Sequence, residues 1–196
     1  MNKQTNKIST KTLAAGGILT AISVVLTFFK TPLPFIPSFL ELNLSSVPAL
    51  IGGFAFGPLA GVLIVLATQL IHMMVSHTAF VGELADFIMT GSMTLVASLI
   101  YANKKTRKRA IIGLALGILA MTIAASFVNY FILLPFYSQA YMPMDKIIEI
   151  CSAVNPLIVD KFTYILYGAI PFNIIKGVLL SVVTFILYKH ISRFLH

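Results

Sequence analysis

The stretch from Ala110 to Leu134 contains no charged side chain. As a helix rising about 1.5 Å per residue it exceeds the roughly 30 Å hydrocarbon core of a bilayer. Other apolar runs lie on both sides of it, at about 12–29, 47–56, 59–74, 83–101 and 163–191. In lipid each backbone polar group must find its partner inside the protein, which favours helices for runs of this length. The expected fold class is an all-α membrane protein: six transmembrane helices in a compact bundle, forming a single integral membrane domain over 1–196. Only Gly57-Pro58 separates the second and third runs, so they are expected to form a tight antiparallel hairpin. Pro135 is expected to stop the fifth. The connection 136–162 is the longest, with a short surface helix expected around 144–153.

Composition excludes the soluble classes. Only 10% of residues are charged and the mean hydropathy is +0.95, against about 25% charged in soluble domains. The net charge of +8 would suit nucleic acid, but the positives sit between apolar runs, which reads as membrane topology. Lys3, Lys7, Lys11, the five basic residues of 104–109, Lys189 and Arg193 fall on one side of a six-span bundle. The positive-inside rule makes that side the cytoplasm, with both termini there and loop 31–46 outside as a lid. The localisation expected is the cell membrane, multi-pass, with no nucleic acid partner. No cleavable signal peptide is evident, because the first apolar run is long enough to remain as a membrane helix.

Most catalytic signatures are missing. The one cysteine, Cys151, makes no internal disulfide or CxxC site. The four histidines lack HxxxH or HExxH spacing, so no metal site is expected. Gly52 and Gly57 have the glycine spacing of a P-loop, but Pro58 stands where lysine is needed. No GxSxG elbow occurs, leaving only a spatial arrangement of His72, Ser76 and His77 for hydrolysis. The chain is not expected to be an enzyme or to hold a cofactor.

One polar anomaly points elsewhere. Lys176 interrupts an apolar stretch running to Tyr188, at a cost of about 2.5–3.5 kcal/mol at a membrane helix centre. Asn173 lies three residues earlier, on the same helical face. Counting rise from the membrane surfaces puts Asn129, Asn173, Lys176, Glu83 and Asp86 in the outer third of the bilayer. Residues 39–45 alternate apolar and polar, the period of an extended segment, which brings Glu41 and Asn43 above the same zone. Phe35, Phe39, Tyr130, Phe136, Tyr137, Tyr164 and Phe172 surround it. Each polar residue alone has a plainer reading: Lys176 snorkels to headgroups, Glu83 and Asp86 favour a helix N-terminus, and Asn129 bonds a neighbouring helix. Together they suit a flat, polar-edged organic ligand. Glycine pairs at 53/57, 57/61 and 113/117 allow close helix contact. Ala14, Gly17 and Ala21 form a further small-residue stripe, either packed internally or facing another membrane protein.

Four segments carry a resemblance: Phe39-Leu-Glu-Leu-Asn-Leu-Ser-Ser-Val-Pro48, Gly52-Gly-Phe-Ala-Phe-Gly-Pro-Leu-Ala-Gly61, Val128-Asn-Tyr-Phe-Ile-Leu-Leu-Pro-Phe-Tyr137 and Pro171-Phe-Asn-Ile-Ile-Lys-Gly177. In order and spacing they resemble the riboflavin-specific substrate-binding (S) component of energy-coupling factor (ECF) vitamin transporters. The resemblance implies a six-helix bundle that captures riboflavin from the extracellular side. It implies delivery with a transmembrane coupling protein and two cytoplasmic ATPases. It places Phe39, Leu40, Glu41, Leu42, Asn43, Leu44, Asp86, Asn129, Tyr130, Tyr164, Asn173 and Lys176 on riboflavin. Apolar and aromatic groups would sandwich the ring, the asparagines would meet its imide edge, and Glu41 and Asn43 would accept from ribityl hydroxyls. Ala14, Gly17 and Ala21 would dock on the coupling protein. The alternatives are an autonomous secondary transporter and an S component for another small vitamin.

Overall fold

The computed structural model describes residues 10–34, 36–37, 40–76 and 78–195, without the side chains of 11 and 189–195. Phe35, Phe39, His77, Lys3 and Lys7, named above, lie outside the described residues, as do the side chains of Lys11, Lys189 and Arg193.

The chain is mostly helical. Helix α1 spans Thr10–Thr27 and ends before the exposed pair Phe28 and Phe29. A two-residue antiparallel ladder follows, β1 (Thr31–Pro32) with β2 (Glu41–Leu42), in the register Thr31–Leu42 and Pro32–Glu41. The extended segment expected over 39–45 is thus reduced to two paired residues. Asn43 Oδ1 accepts from the Ser45 N–H and hydroxyl, a local turn that redirects the chain. Helix α2 (Val47–Phe56) starts with proline in its first turn. Gly57, at φ +102°, breaks it from α3 (Pro58–His72), which tightens into a 3₁₀ turn over Met73–Val75. Helix α4 spans Val81–Asn103.

Helix α5 differs from expectation. Pro135 does not stop it: the helix runs over Arg107–Ala140, through a π-helical segment at Asn129–Leu133 and on through Leu134–Ala140. Proline lacks the N–H for an i→i−4 bond and crowds the preceding turn, and a wider turn absorbs both defects. Helix α6 occupies Met144–Val154. Helix α7, over 161–195, repeats the device: its π-helical segment Ile165–Ala169 precedes Pro171 by the same interval. Its start is fixed by a capping box between Asp160 and Thr163. The Thr163 N–H and hydroxyl, donating to Asp160, hold that carboxyl below the usual range.

Among the described residues four helical stretches are long and apolar enough to cross a membrane: Pro58–Val75, Val81–Asn103, Arg107–Ala140 and Lys161–Tyr188. Helix α1 is shorter in apolar length, and α2, at about 15 Å, is half a bilayer. Nine of the ten residues of α2 are buried, so this helix is a core element wrapped by its neighbours. Leu50 and Phe54 of α2 pack with Leu19, Ile64, Met93, Met121 and Leu180 from five other helices. The close contacts are built on missing Cβ atoms. A Cβ on Gly61 would stand 2.8 Å from the Gly53 Cα, and one on Gly113 would stand 2.6 Å from the Ala97 carbonyl oxygen. Gly53, Gly61, Gly113 and Gly117 therefore pack within the bundle, joining α2 to α3 and α4 to α5, whereas no described atom lies within 4 Å of where a Gly57 Cβ would be. A second apolar cluster joins Leu134, Ile147, Cys151, Ile158 and Tyr164 across α5, α6 and α7. Burial pushes the Cys151 thiol up to about 11, so it stays protonated and inert at neutral pH.

Candidate functional site

Against the second apolar cluster lies a cavity of about 440 Å³, within the range of small-molecule sites. Leu40 and Glu41 close it from β2 and its approach, and Thr78 from the loop before α4. Asn129, Leu133, Leu134, Tyr137 and Tyr141 line it from α5 and just beyond. Ile147 and Ile150 cover it from α6, Met142 from the turn before that helix, and Tyr164 from α7. The walls are chiefly apolar and aromatic, with a few polar groups set among them.

The two π-helical turns position that polar core. Asn129 opens the first and Tyr164 immediately precedes the second. The Tyr164 hydroxyl donates to Asn129 Oδ1 at 3.2 Å, and Asn129 Nδ2 donates to the Ala125 carbonyl at 2.8 Å. Both side chains are buried. Anchored so, the amide retains one N–H and an oxygen lone pair, a donor–acceptor edge. Wide turns beside functional groups are a frequent association. Here proline at a fixed interval after each turn accounts for their presence.

Lys176 and Asn173 belong to a different place. Lys176 Nζ donates to Asp86 Oδ1 at 3.0 Å, and Gln69 Nε2 donates to Asp86 Oδ2 at 2.6 Å. Lys176 and Gln69 are buried, and the two charges neutralise each other. None of the three lines the 440 Å³ cavity. Asn173 Nδ2 donates to the Ala169 carbonyl at 2.8 Å. Tyr164 and Lys176 are twelve residues apart on α7, about 18 Å of rise. The one zone expected from depth counting is therefore two clusters along that helix. Gln69 was not singled out from sequence; its signal is an amide inside an apolar helix.

The remaining candidates are distributed as follows. Glu41 pairs with Lys30 at 3.2 Å, both partly exposed. Leu42, Asn43 and Leu44 are half-buried on the way into α2 and outside the cavity lining. The Tyr130 ring packs on the second apolar cluster, and Lys161 Nζ stands 3.9 Å from its centroid. Ala14, Gly17 and Ala21 are all exposed, and no described atom lies within 4 Å of where a Gly17 Cβ would be. That stripe is not packed inside the bundle.

The cavity residues the sequence did not assign are Thr78, Leu133, Leu134, Tyr137, Tyr141, Met142, Ile147 and Ile150. Only Tyr137 had been noted, among the surrounding aromatics. Glu83 also has a role that its helix position did not convey. It is buried and receives Ser76 Oγ at 2.8 Å, Thr78 Oγ1 at 2.9 Å and His72 Nδ1 at 3.1 Å. His72 and Ser76 thus meet a shared carboxylate, which organises the loop instead of relaying a proton to a nucleophile. After Thr78, Ala79 and Phe80 adopt φ of 47° and 69°. Such conformations cost about 1–3 kcal/mol each in non-glycine residues and persist where surrounding bonds enforce them.

A sequence model of the ECF transporter substrate-specific component family matches residues 11–188. The riboflavin transporter RibU of Staphylococcus aureus (strain TCH60) is 38% identical over 193 residues, covering 98% of this chain and 96% of that protein. The riboflavin transporter FmnP of Bacillus subtilis (strain 168) is 30% identical over 176 residues, covering 88% and 87%. A solved structure of the S component of a bacterial ECF transporter aligns with a TM-score of 0.74 at 39% identity, covering 94% of this chain and 97% of that one.

Proposed function

We propose, because the chain belongs to the family of ECF transporter substrate-specific components, that it is the riboflavin-binding membrane subunit of an ATP-driven vitamin importer. It is a transport protein and not an enzyme. The observation that carries the ligand is relatedness over nearly the whole chain to proteins named riboflavin transporters. The cavity supports it physically, offering aromatic walls for a flat ring and the tethered Asn129 amide for an imide edge.

In this reading Leu40, Glu41, Asn129 and Tyr164 meet riboflavin in the cavity. Phe39, Leu42, Asn43 and Leu44 act with them as the lid formed by 31–46. Asp86 of α4, Tyr130 of α5, and Asn173 and Lys176 of α7 complete the site. Lys176 has three N–H donors and gives one to Asp86, so it retains donors for a ligand carbonyl.

Six spans with both termini in the cytoplasm are the proposed topology in the cell membrane. The basic run Lys104–Arg109 spans the loop between α4 and α5 and the first turn of α5, and α1 and α2 add to the four long spans. Riboflavin would be delivered through a transmembrane coupling protein and two ATPases. The exposed stripe Ala14, Gly17 and Ala21 is the proposed docking face.

Two measurements test the reading. Purified protein should quench flavin fluorescence on titration with riboflavin; unchanged fluorescence at saturating protein would overturn the ligand assignment. Since Cys151 is buried, a cysteine introduced at Thr106 can be labelled selectively. Labelling from the outside by an impermeant reagent would overturn the topology.

A further inference from the structure

The Glu83 cluster can be resolved into individual protons. A carboxylate only accepts, and each hydroxyl has one proton to give. Ser76 Oγ and Thr78 Oγ1 both place theirs on Glu83 Oε2. No proton then remains for the 3.3 Å contact between the two hydroxyl oxygens. Ser76 Oγ in turn accepts the Thr78 N–H at 3.2 Å and the Phe80 N–H at 3.3 Å, filling its capacity. Thr78 Oγ1 accepts the Gly82 N–H at 3.1 Å, which uses one of its two lone pairs. Among the described residues no further donor reaches it, and Thr78 lines the cavity. The left-handed Ala79 and Phe80 hold the loop in this shape.

We propose that Glu83 is a positioning residue for ligand recognition: by taking the Thr78 proton it fixes Thr78 in the cavity wall as a hydrogen-bond acceptor only. The ligand group selected there is an O–H or N–H donor. Glu41, also in the wall and also an acceptor, extends the same preference. A carbonyl or ring nitrogen placed against Thr78 would face a lone pair with no proton between them. This inference rests on the riboflavin reading above, because riboflavin has both kinds of edge and needs a wall that tells them apart.

The test uses the full chain in detergent micelles, titrated with riboflavin by fluorescence quenching. Thr78→Val, which keeps the shape and removes the oxygen, should weaken binding about tenfold, while Thr78→Ser should stay within about twofold of wild type. Glu83→Gln should weaken binding about as much as Thr78→Val. Because Glu83 acts through Thr78, the double variant should be no weaker than either single within about twofold. A Thr78→Val protein within twofold of wild type overturns the proposal. So does a double variant whose loss is the product of the single losses, since Glu83 would then act on the fold independently. If Glu83→Gln does not fold, Thr78→Val against Thr78→Ser still decides. Failure of the unaltered protein to bind riboflavin would reject the ligand reading and this inference together, whereas unaltered binding with an insensitive Thr78→Val rejects this inference alone.

Discussion

Asp86–Lys176 and Asn129–Tyr164 are both polar pairs bridging α7 to another helix, three of the four residues buried and Asp86 half-buried, and they are built to different ends. The first is charged and closed. Each charge has its counter-charge, Gln69 takes the second carboxylate oxygen, and none of the three lines the 440 Å³ cavity. The second is neutral and sits in the cavity wall between two π-helical turns. Burying a charge is tolerable only when it is paired, whereas a neutral amide can be left facing a cavity at a modest cost. The residue with the highest energetic profile in a sequence is thus not the residue most open to a ligand.

Lys176→Ala presses hardest on this contrast. Removing one partner of a fully buried ion pair costs about 3–5 kcal/mol; the Asp86 left behind is half-buried, so the variant should lose less than that and still show a clear drop in thermal stability in detergent. Replacing both, Asp86→Asn with Lys176→Met, should recover most of that stability. Riboflavin affinity should remain at least about tenfold weaker if Lys176 also donates to ligand, as for a charge-assisted bond. A double variant with affinity within threefold of wild type would remove the pair from the site.

Asn129→Ala should act in the opposite proportion. A ligand edge left without its partner costs about 1–3 kcal/mol, or roughly 5- to 150-fold in affinity, with a smaller change in stability. Affinity within threefold would break the cavity assignment. Tyr164→Phe keeps the ring and removes only the hydroxyl that orients Asn129, so a loss of about 0.5–1.5 kcal/mol is expected in the same titration. The smallest effect concerns Asp160. Its carboxyl is held below the usual range by Thr163, so the stability it adds is present above the unfolded value near 4 and fades as pH falls through the lower folded value. Asp160→Asn should flatten that dependence in acid melts, and a profile identical to wild type would show that the cap charge does not matter.

Much of the architecture was legible in the sequence. The apolar runs announced the helices, because their length is fixed by rise per residue, and Gly57-Pro58 announced the α2–α3 break. The small residues at 53, 61 and 113 announced close contacts, though not which helices would meet. The polar set was harder to read. Asn129, Glu41, Leu40 and Tyr164 were named, and all four line the cavity. Thr78 and the α6 residues were missed because their place in the wall depends on how a loop and a surface helix fold over it. Pro135 was read as a helix boundary, the usual consequence of a missing N–H. A wider turn is the other solution, and choosing between them depends on whether neighbouring helices hold the segment in line.

The sequence alone determined that this is a helical membrane protein of the S-component type, since hydropathy, spacing and motif order survive any detail of packing. Only the tertiary structure decided which polar groups close on one another and which face a cavity. That choice depends on distances of a few ångströms between helices far apart in the chain. Asp86 and Lys176 are 90 residues apart, and Asn129 and Tyr164 are 35 apart. Hydrogen bonding discriminates at that scale, and no periodicity in the sequence encodes it.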